Sequence, residues 1–344
     1  MLPVTDLNNV ALTFESARKE MRDARKFLVL ESGTEIEIIG EIARGAFAYV
    51  RETGDPTLVL KTPQNKAGAS EDVENDARML KFIGPALGIQ KPSRAVTYAV
   101  EGGEMKIGLL AHRYDGTGED FDPSDLPIAD RMFFLQPLLH GLLRLKKLEI
   151  HHGDIKLRNT LISIEGFVLS DFGGARQGSV TAVGSIALMA LRAFGAANTL
   201  EEGQKEDLHA LGTIFLDIAD SRSTEDLYAE KVNGGKVVSA GQIPDRESTR
   251  HTKSAPKASH SSSNQPRYSL TDHKRALRLM NNEFEMRLHA LSRMDSELAA
   301  ILRKMLITNA GSGESPNNRD VLEVTKDFRE YMKKNGLLAH ELTT

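Results

Sequence analysis

Within residues 151–176 three polar side chains stand at fixed offsets: Asp154, Asn159 five residues on, and Asp171 twelve beyond that. Between Asn159 and Asp171 lie two short apolar runs, Leu161-Ile162 and Phe167-Val168-Leu169, around a Glu165-Gly166 turn. That pattern predicts a small β-hairpin. Such a hairpin returns Asn159 and Asp171 to one end, beside Asp154. The three then offer one carboxylate to orient a hydroxyl and two oxygen ligands for Mg²⁺, a cation that takes few carboxylates and fills its shell with phosphate oxygens and water. Asp and Asn are also ordinary turn residues. The apolar spacer and the Asp171-Phe172-Gly173 triplet favour the chemical reading.

The run His152-Gly153-Asp154-Ile155-Lys156 with Asn159 resembles the catalytic loop of protein kinases, and Asp171-Phe172-Gly173 resembles their metal-binding triplet. The resemblance implies Asp154 as catalytic base and Lys156 as partner of the transferred phosphate. It implies Asn159 and Asp171 as magnesium ligands, with His152 and Phe172 packing between the two motifs. Gly153 stands where many protein kinases have Arg, the residue that binds an activation-loop phosphate. A His-Gly-Asp triplet also occurs in aminoglycoside and other small-molecule phosphotransferases, so the loop alone leaves the substrate class open.

Upstream, residues 42–50 resemble the kinase glycine-rich loop with only the central Gly45 kept; Ala43 and Ala48 replace the flanking glycines. Lys61 follows at the end of the next strand and matches the lysine that pairs with nucleotide phosphates. A helix over 70–84 should supply its acidic partner. Asp76 shares a helical face with Leu80, four residues on, and is favoured over the longer-reaching Glu74, which would put Arg78 in that apolar position. The hinge falls at 110–114. The nucleotide contacts the resemblance implies are therefore Gly45, Val50, Lys61, Asp76, Leu110, His112, Asn159 and Asp171, with ATP and Mg²⁺ as the ligands.

The elements that position these residues follow from periodicity. Apolar residues at Leu7, Val10, Phe14, Ala17, Met21, Ala24 and Phe27 fit a three-and-four spacing, which predicts an amphipathic helix over 6–30. Strands are expected around 35–39, 48–51, 57–61, 95–100 and 106–111, and helices over 70–84, 132–148, 274–288, 295–306 and 319–333. Asp207-Leu208-His209-Ala210-Leu211-Gly212 resembles the start of the central helix of protein kinases, whose Asp anchors the catalytic loop. That motif distinguishes protein kinases from small-molecule phosphotransferases, and Lys156 points the same way. The implied fold is α+β and two-lobed: an N-terminal helix over 1–33, a small antiparallel β lobe with one helix over 34–114, and a mainly helical lobe over 115–338.

Two departures qualify the resemblance. Leu191-Arg192 replaces the Pro-Glu that closes the usual activation segment, so Arg319 lacks its expected acidic partner. Residues 233–270 read as an insertion whose polar core, 248–263, has no apolar periodicity and predicts disorder. It offers a site of autophosphorylation or of docking by an activating partner.

Composition limits the remaining classes. A net charge of −4 gives no footprint for general nucleic-acid binding. With no Cys there is no disulfide framework or thiolate metal site. No apolar run reaches the ~18 residues of a membrane span, and no basic-then-apolar signal opens the chain. A cytoplasmic protein is expected, although its compactness and its departures also resemble kinases that bacterial pathogens inject into host cells by other signals. Three readings follow: a Ser/Thr protein kinase acting on a protein substrate, a small-molecule phosphotransferase, and a pseudokinase that senses nucleotide.

Overall fold

The computed structural model describes residues 6–99, 104–180, 199–224, 227, 270–306 and 320–337. Seven strands close into a barrel: β1 (Phe14–Arg22), β2 (Arg25–Leu30), β3 (Glu35–Arg44), β4 (Ala48–Thr53), β5 (Leu58–Pro63), β6 (Arg94–Ala99) and β7 (Met105–His112). Their order around the wall is β1-β2-β3-β4-β5-β7-β6. Every neighbouring pair is antiparallel except the closing one, where β1 runs parallel to β6 with Ala17 opposite Tyr98.

This corrects two expectations. The two-lobed fold with a small antiparallel sheet is replaced by a closed, mixed barrel, because residues 14–30 add two strands that join the sheet's free edges. Those residues are also not an amphipathic helix. Asp23 and Ala24 take positive φ (49° and 63°), the two-residue geometry of a tight hairpin, and Ala17 pairs with Leu30 across it. Apolar residues at three-and-four spacing thus fall on both faces of a strand. Ala17 packs on the barrel interior, while Phe14 is partly exposed. Closure removes both open edges of the sheet, an arrangement that leaves no row of unpaired backbone groups.

Alternation along the strands fills the barrel with Leu28, Leu30, Ile36, Leu60, Val96, Tyr98 and Leu110. Helix α1 (Ala69–Ile83) lies outside the wall. Val73 and Ala77 pack on Ala48, Ala95 and Leu109, while Met79, Leu80 and Ile83 enter a larger core. That core gathers α2 (Ile128–Lys147), α3 (Leu200–Asp220), α4 (Leu270–Ser292), α5 (Ser296–Met305) and α6 (Val321–Lys334). Capping explains several boundaries: Thr199 opens α3 with a capping box to Glu202, Asp295 accepts from Leu298 N–H, and Asp320 accepts from Leu322 N–H. One close approach depends on glycine. Gly88 has φ +75°, and a Cβ there would lie 1.7 Å from the Pro137 carbonyl of α2.

The expected hairpin is β10 (Thr160–Ser163) and β11 (Gly166–Leu169), with the short strand β8 (Gly116–Thr117) beside β10. Strands β9 (Ile150–His151) and β12 (Arg176–Gln177) bracket the segment that carries Asp154 and Asp171. The chain's start ties this region to α1: Gln177 Oε1 accepts from Leu7 N–H at 2.7 Å, and Lys81 Nζ donates to the Ala11 carbonyl at 2.7 Å. Leu191-Arg192, Arg319 and nearly all of the 233–270 insertion lie outside the described residues. Among the described residues no helix is long and apolar enough to cross a membrane.

Candidate active site

Strand β5 carries Lys61 out of the barrel wall, since Leu60 beside it points inward. Its ammonium meets two carboxylates, Asp76 Oδ2 at 2.8 Å and Asp171 Oδ1 at 2.9 Å. Asp76 projects from α1 and is 1% exposed. Its second oxygen accepts the Phe172 N–H at 2.9 Å, so one carboxylate fixes both the lysine and the backbone just after Asp171. Glu74, the competing acid, instead pairs with Arg78 one turn along the helix. Burial acts to lower the Lys61 pKa, but the carboxylates of Asp171 and Asp76 outweigh it and hold the ammonium above its usual value. In turn the Lys61 charge holds the Asp171 carboxyl below its usual range, against the opposing effect of burial.

Asp171 takes a left-handed backbone, φ 63° and ψ 64°, a conformation that costs a non-glycine residue energy and is retained where surrounding contacts fix it. Those contacts come from α1. Asn75 Nδ2 donates to the carbonyls of Phe172 (3.2 Å), Gly173 (2.8 Å) and Ala175 (3.1 Å). The Asp72 carboxylate fills the space above Gly173, 2.5 Å from where a Cβ would sit. Burial, then the negative charge of Asp171, pushes the Asp72 carboxyl up to about 6. Neither Asp72 nor Asn75 was singled out from sequence. The signal was there in the spacing, since 72, 75, 76, 79 and 80 make one helical stripe with Asp76.

The second half of the site is the 152–159 loop. Asp207, fully buried in α3, accepts the N–H of His152 through Oδ2 and of Gly153 through Oδ1, both at 2.8 Å. Gly153 has φ 75°, which a residue with a Cβ adopts only under strain. That gives the loop its own reason for glycine at this position. His152 is sealed in the core with its ring 4.8 Å from Phe172. Its Nε2 lies 3.1 Å from the Ser170 carbonyl, which makes that nitrogen the donor, and Nδ1 accepts from Asp154 N–H at 3.3 Å. Burial lowers its pKa and keeps it neutral. The ring thus links the loop of Asp154 to the residue before Asp171.

Asp154 Oδ2 receives Lys156 Nζ and Asn159 Nδ2, both at 2.8 Å. Its other oxygen, Oδ1, is buried and has no hydrogen-bond partner. A buried carboxylate oxygen without a donor is costly, and a substrate hydroxyl would supply that donor. Asn159 spends its amide N–H groups on Asp154, at the side chain and at the carbonyl (2.9 Å), which leaves its Oδ1 for a cation. Asp171 keeps Oδ2 clear of Lys61, on a side chain 46% exposed. Among the described residues no group of three His, Asp or Glu is arranged to hold a metal. One carboxylate and one amide oxygen fit a Mg²⁺ ion whose remaining ligands are phosphate and water.

The structure brings Lys61, Asp76, Asp171, Asp154, Lys156 and Asn159 together and places the remaining expected contacts as follows. Val50 pairs with Lys61 across β4 and β5 and shares its face. Gly45 sits in the β3–β4 hairpin, with its N–H donating to the Ala48 carbonyl and its carbonyl accepting from Gln64. Leu110 does not join the site. It pairs with Leu60 and packs inside the barrel, and His112, two residues on, has the same register. Ala111 and Leu109 occupy the Lys61 face instead, as strict alternation requires. No known family model matches the chain, and no curated protein matches it in sequence.

Proposed function

We propose that the chain is a Mg²⁺-dependent kinase that transfers the γ-phosphoryl of ATP to a Ser or Thr hydroxyl of a protein. The observation that carries this reading is the orphaned Asp154 Oδ1, set on a loop that His152 and Phe172 couple to the Lys61–Asp76–Asp171 triad. In the reaction the hydroxyl oxygen attacks the γ-phosphorus, the bond to the bridging oxygen of ADP breaks, and the hydroxyl proton passes to Asp154. Lys156 beside it offsets charge on the transferred group, and Lys61 holds the remaining phosphates. Asp171 and Asn159 would hold Mg²⁺, which when bound would neutralise charge on the phosphates. The protein's part is positioning and electrostatics.

Two features support a protein rather than a small-molecule acceptor: the Asp207 anchor under the loop and Lys156 two residues after the base. The test uses the full chain, labelled ATP and Mg²⁺, with a generic protein substrate in one arm and an aminoglycoside in the other. Phosphoprotein is expected, and Asp154→Asn should lower turnover by ~10²–10⁴ with nucleotide affinity little changed. Near-normal turnover in that variant would overturn the role of Asp154. Label on the aminoglycoside alone would overturn the substrate class.

A further inference from the structure

The barrel's interior is not apolar from end to end. Directly paired residues share a face of the sheet, and the register pairs Lys19 with Leu28, Lys26 with Ile38, Arg51 with Leu60, and Lys106 with Tyr98. Those four partners all belong to the inward-packed apolar cluster, so four cations are directed toward the barrel lumen. They come from four different strands. Lys19 Nζ lies 4.0 Å from the centre of the Tyr98 ring, and burial together with the charges of Arg51, Lys106 and Lys26 depresses its pKa. None of the four forms an ion pair or donates a hydrogen bond among the described residues, although the register sets Glu41 opposite Arg51. Like charges so gathered repel, and natural surfaces ordinarily intersperse acids among them.

Tyr98 supplies an independent observation. Its ring is buried, the residue being 1% exposed, and its hydroxyl makes no hydrogen bond to the described residues, which leaves it open to a ligand. Gly108 makes room for this ring: a Cβ there would lie 3.1 Å from Tyr98 Cε1. The phenol and four cations therefore share one end of the lumen, with the apolar cluster as floor. A barrel this narrow is filled by side chains below that level, so a ligand is confined to the mouth. The nucleotide site is elsewhere, since Leu60 faces the lumen and Lys61 the opposite side of the same wall.

We propose that this mouth is a second anion site, one that binds a compact molecule bearing two or more phosphate groups. Each phosphate carries about −1.5 to −2 near neutral pH, so two of them match four cations, and the Tyr98 hydroxyl donates to a phosphate oxygen. The source is either a free polyphosphorylated compound or the headgroup of a phosphorylated lipid. Met21 and Met105, both largely exposed, flank the same rim and could enter a bilayer in the second case. The site stands whether or not the phosphoryl-transfer reading does.

The test is calorimetric titration of the full chain with tripolyphosphate, in parallel with sedimentation on phosphatidylcholine vesicles with and without a bisphosphorylated phosphoinositide. Lys61→Met removes the phosphate contact of the nucleotide site and should leave one equivalent bound. Lys19→Gln with Lys106→Gln should weaken that binding at least ~10-fold, since each lost charge-assisted bond is worth a factor of about that size. If that double variant does not melt cooperatively, Tyr98→Phe takes its place, with a loss of roughly two- to tenfold expected for one hydroxyl. Tripolyphosphate binding without vesicle binding identifies a free compound. Phosphoinositide-dependent sedimentation lost in the same variants identifies a headgroup. Binding of neither probe, or binding that Lys61→Met abolishes and the mouth variants leave unchanged, would overturn the site.

Discussion

Replacing Asp76 separates its two duties. In Asp76→Ala the Phe172 N–H, in a fully buried residue, loses its acceptor, which costs about 1–3 kcal/mol. Lys61 loses one of two carboxylates, but Asp171 remains 2.9 Å away, so the ionic loss is that of one charge-assisted bond, about 1.5–3 kcal/mol, rather than of a stranded charge. Relaxation recovers part of the sum. A net loss of ~3 kcal/mol in positioning corresponds to about 100-fold in kcat/KM. Asp76→Asn keeps an oxygen for Phe172 and forfeits only the charge toward Lys61, so about tenfold is expected. Glu74→Ala, which breaks a half-exposed i,i+4 pair with Arg78 away from Lys61, should stay within about twofold. The assay is initial-rate kinetics over Mg-ATP concentration, with thermal melting to show that each variant is folded. If Asp76→Ala and Glu74→Ala were equal in effect, or if Asp76→Asn were as damaging as Asp76→Ala, the dual role assigned to this carboxylate would be wrong.

Asp72 gives a pH signature. A carboxyl raised from 3.8 to about 6 by burial and by Asp171 means that the folded state holds more protons in that window, so this group's contribution to stability falls as pH rises from about 4 to 6. Asp72→Asn should remove that slope and raise stability at pH 8 by about 1–3 kcal/mol, read from urea unfolding at several pH values; an unchanged slope would refute the assignment. Arg287 is fully buried and bridges Asp217 at 3.0 Å and Asp220 at 2.6 Å. Arg287→Met strands two carboxylates and should cost about 3–5 kcal/mol, visible as a large fall in Tm, whereas a shift of only a degree or two would mean that the network is dispensable. Ser179 is exposed, and among the described residues the loop positions that could hold an arginine for it are otherwise engaged. Gly153 has no side chain, Arg158 engages Glu119, and Arg176 donates to the carbonyls of Gly174 and Ala175. Ser179→Ala should therefore leave the initial rate within about twofold, and a tenfold loss would point to activation by phosphorylation there.

Much of the local structure was legible because it rests on local chemistry. The 160–169 hairpin announces itself through a Glu-Gly turn between apolar runs, and α1, α2, α5 and α6 through apolar stripes. The choice of Asp76 over Glu74 also followed from the helical face, because a residue four before Leu80 must point where Leu80 points. Asp207 was recognisable by motif, and its two backbone bonds give the physical content of that motif. The side chains that line one face of α1 beside Asp76 were equally available from spacing but carry no motif, so Asp72 and Asn75 emerged only with the loop they hold.

What the sequence determined by itself is the set of groups able to do chemistry and the elements that carry them: Lys61 on a strand, Asp76 on a helix, and Asp154, Asn159 and Asp171 around a hairpin. Only the tertiary structure decided how residues 14–30 behave. Their apolar spacing satisfies a helix, but Ala17 gains more by facing Leu30 across a hairpin and packing on the barrel interior. Closure then adds the parallel pairing of β1 with β6. The same closure turns Lys19, Lys26, Arg51 and Lys106, separated by up to 87 positions in the chain, into neighbours around one mouth. Long-range register has no signature in a linear pattern. It is set by which strand edges remain open after the rest of the sheet has formed.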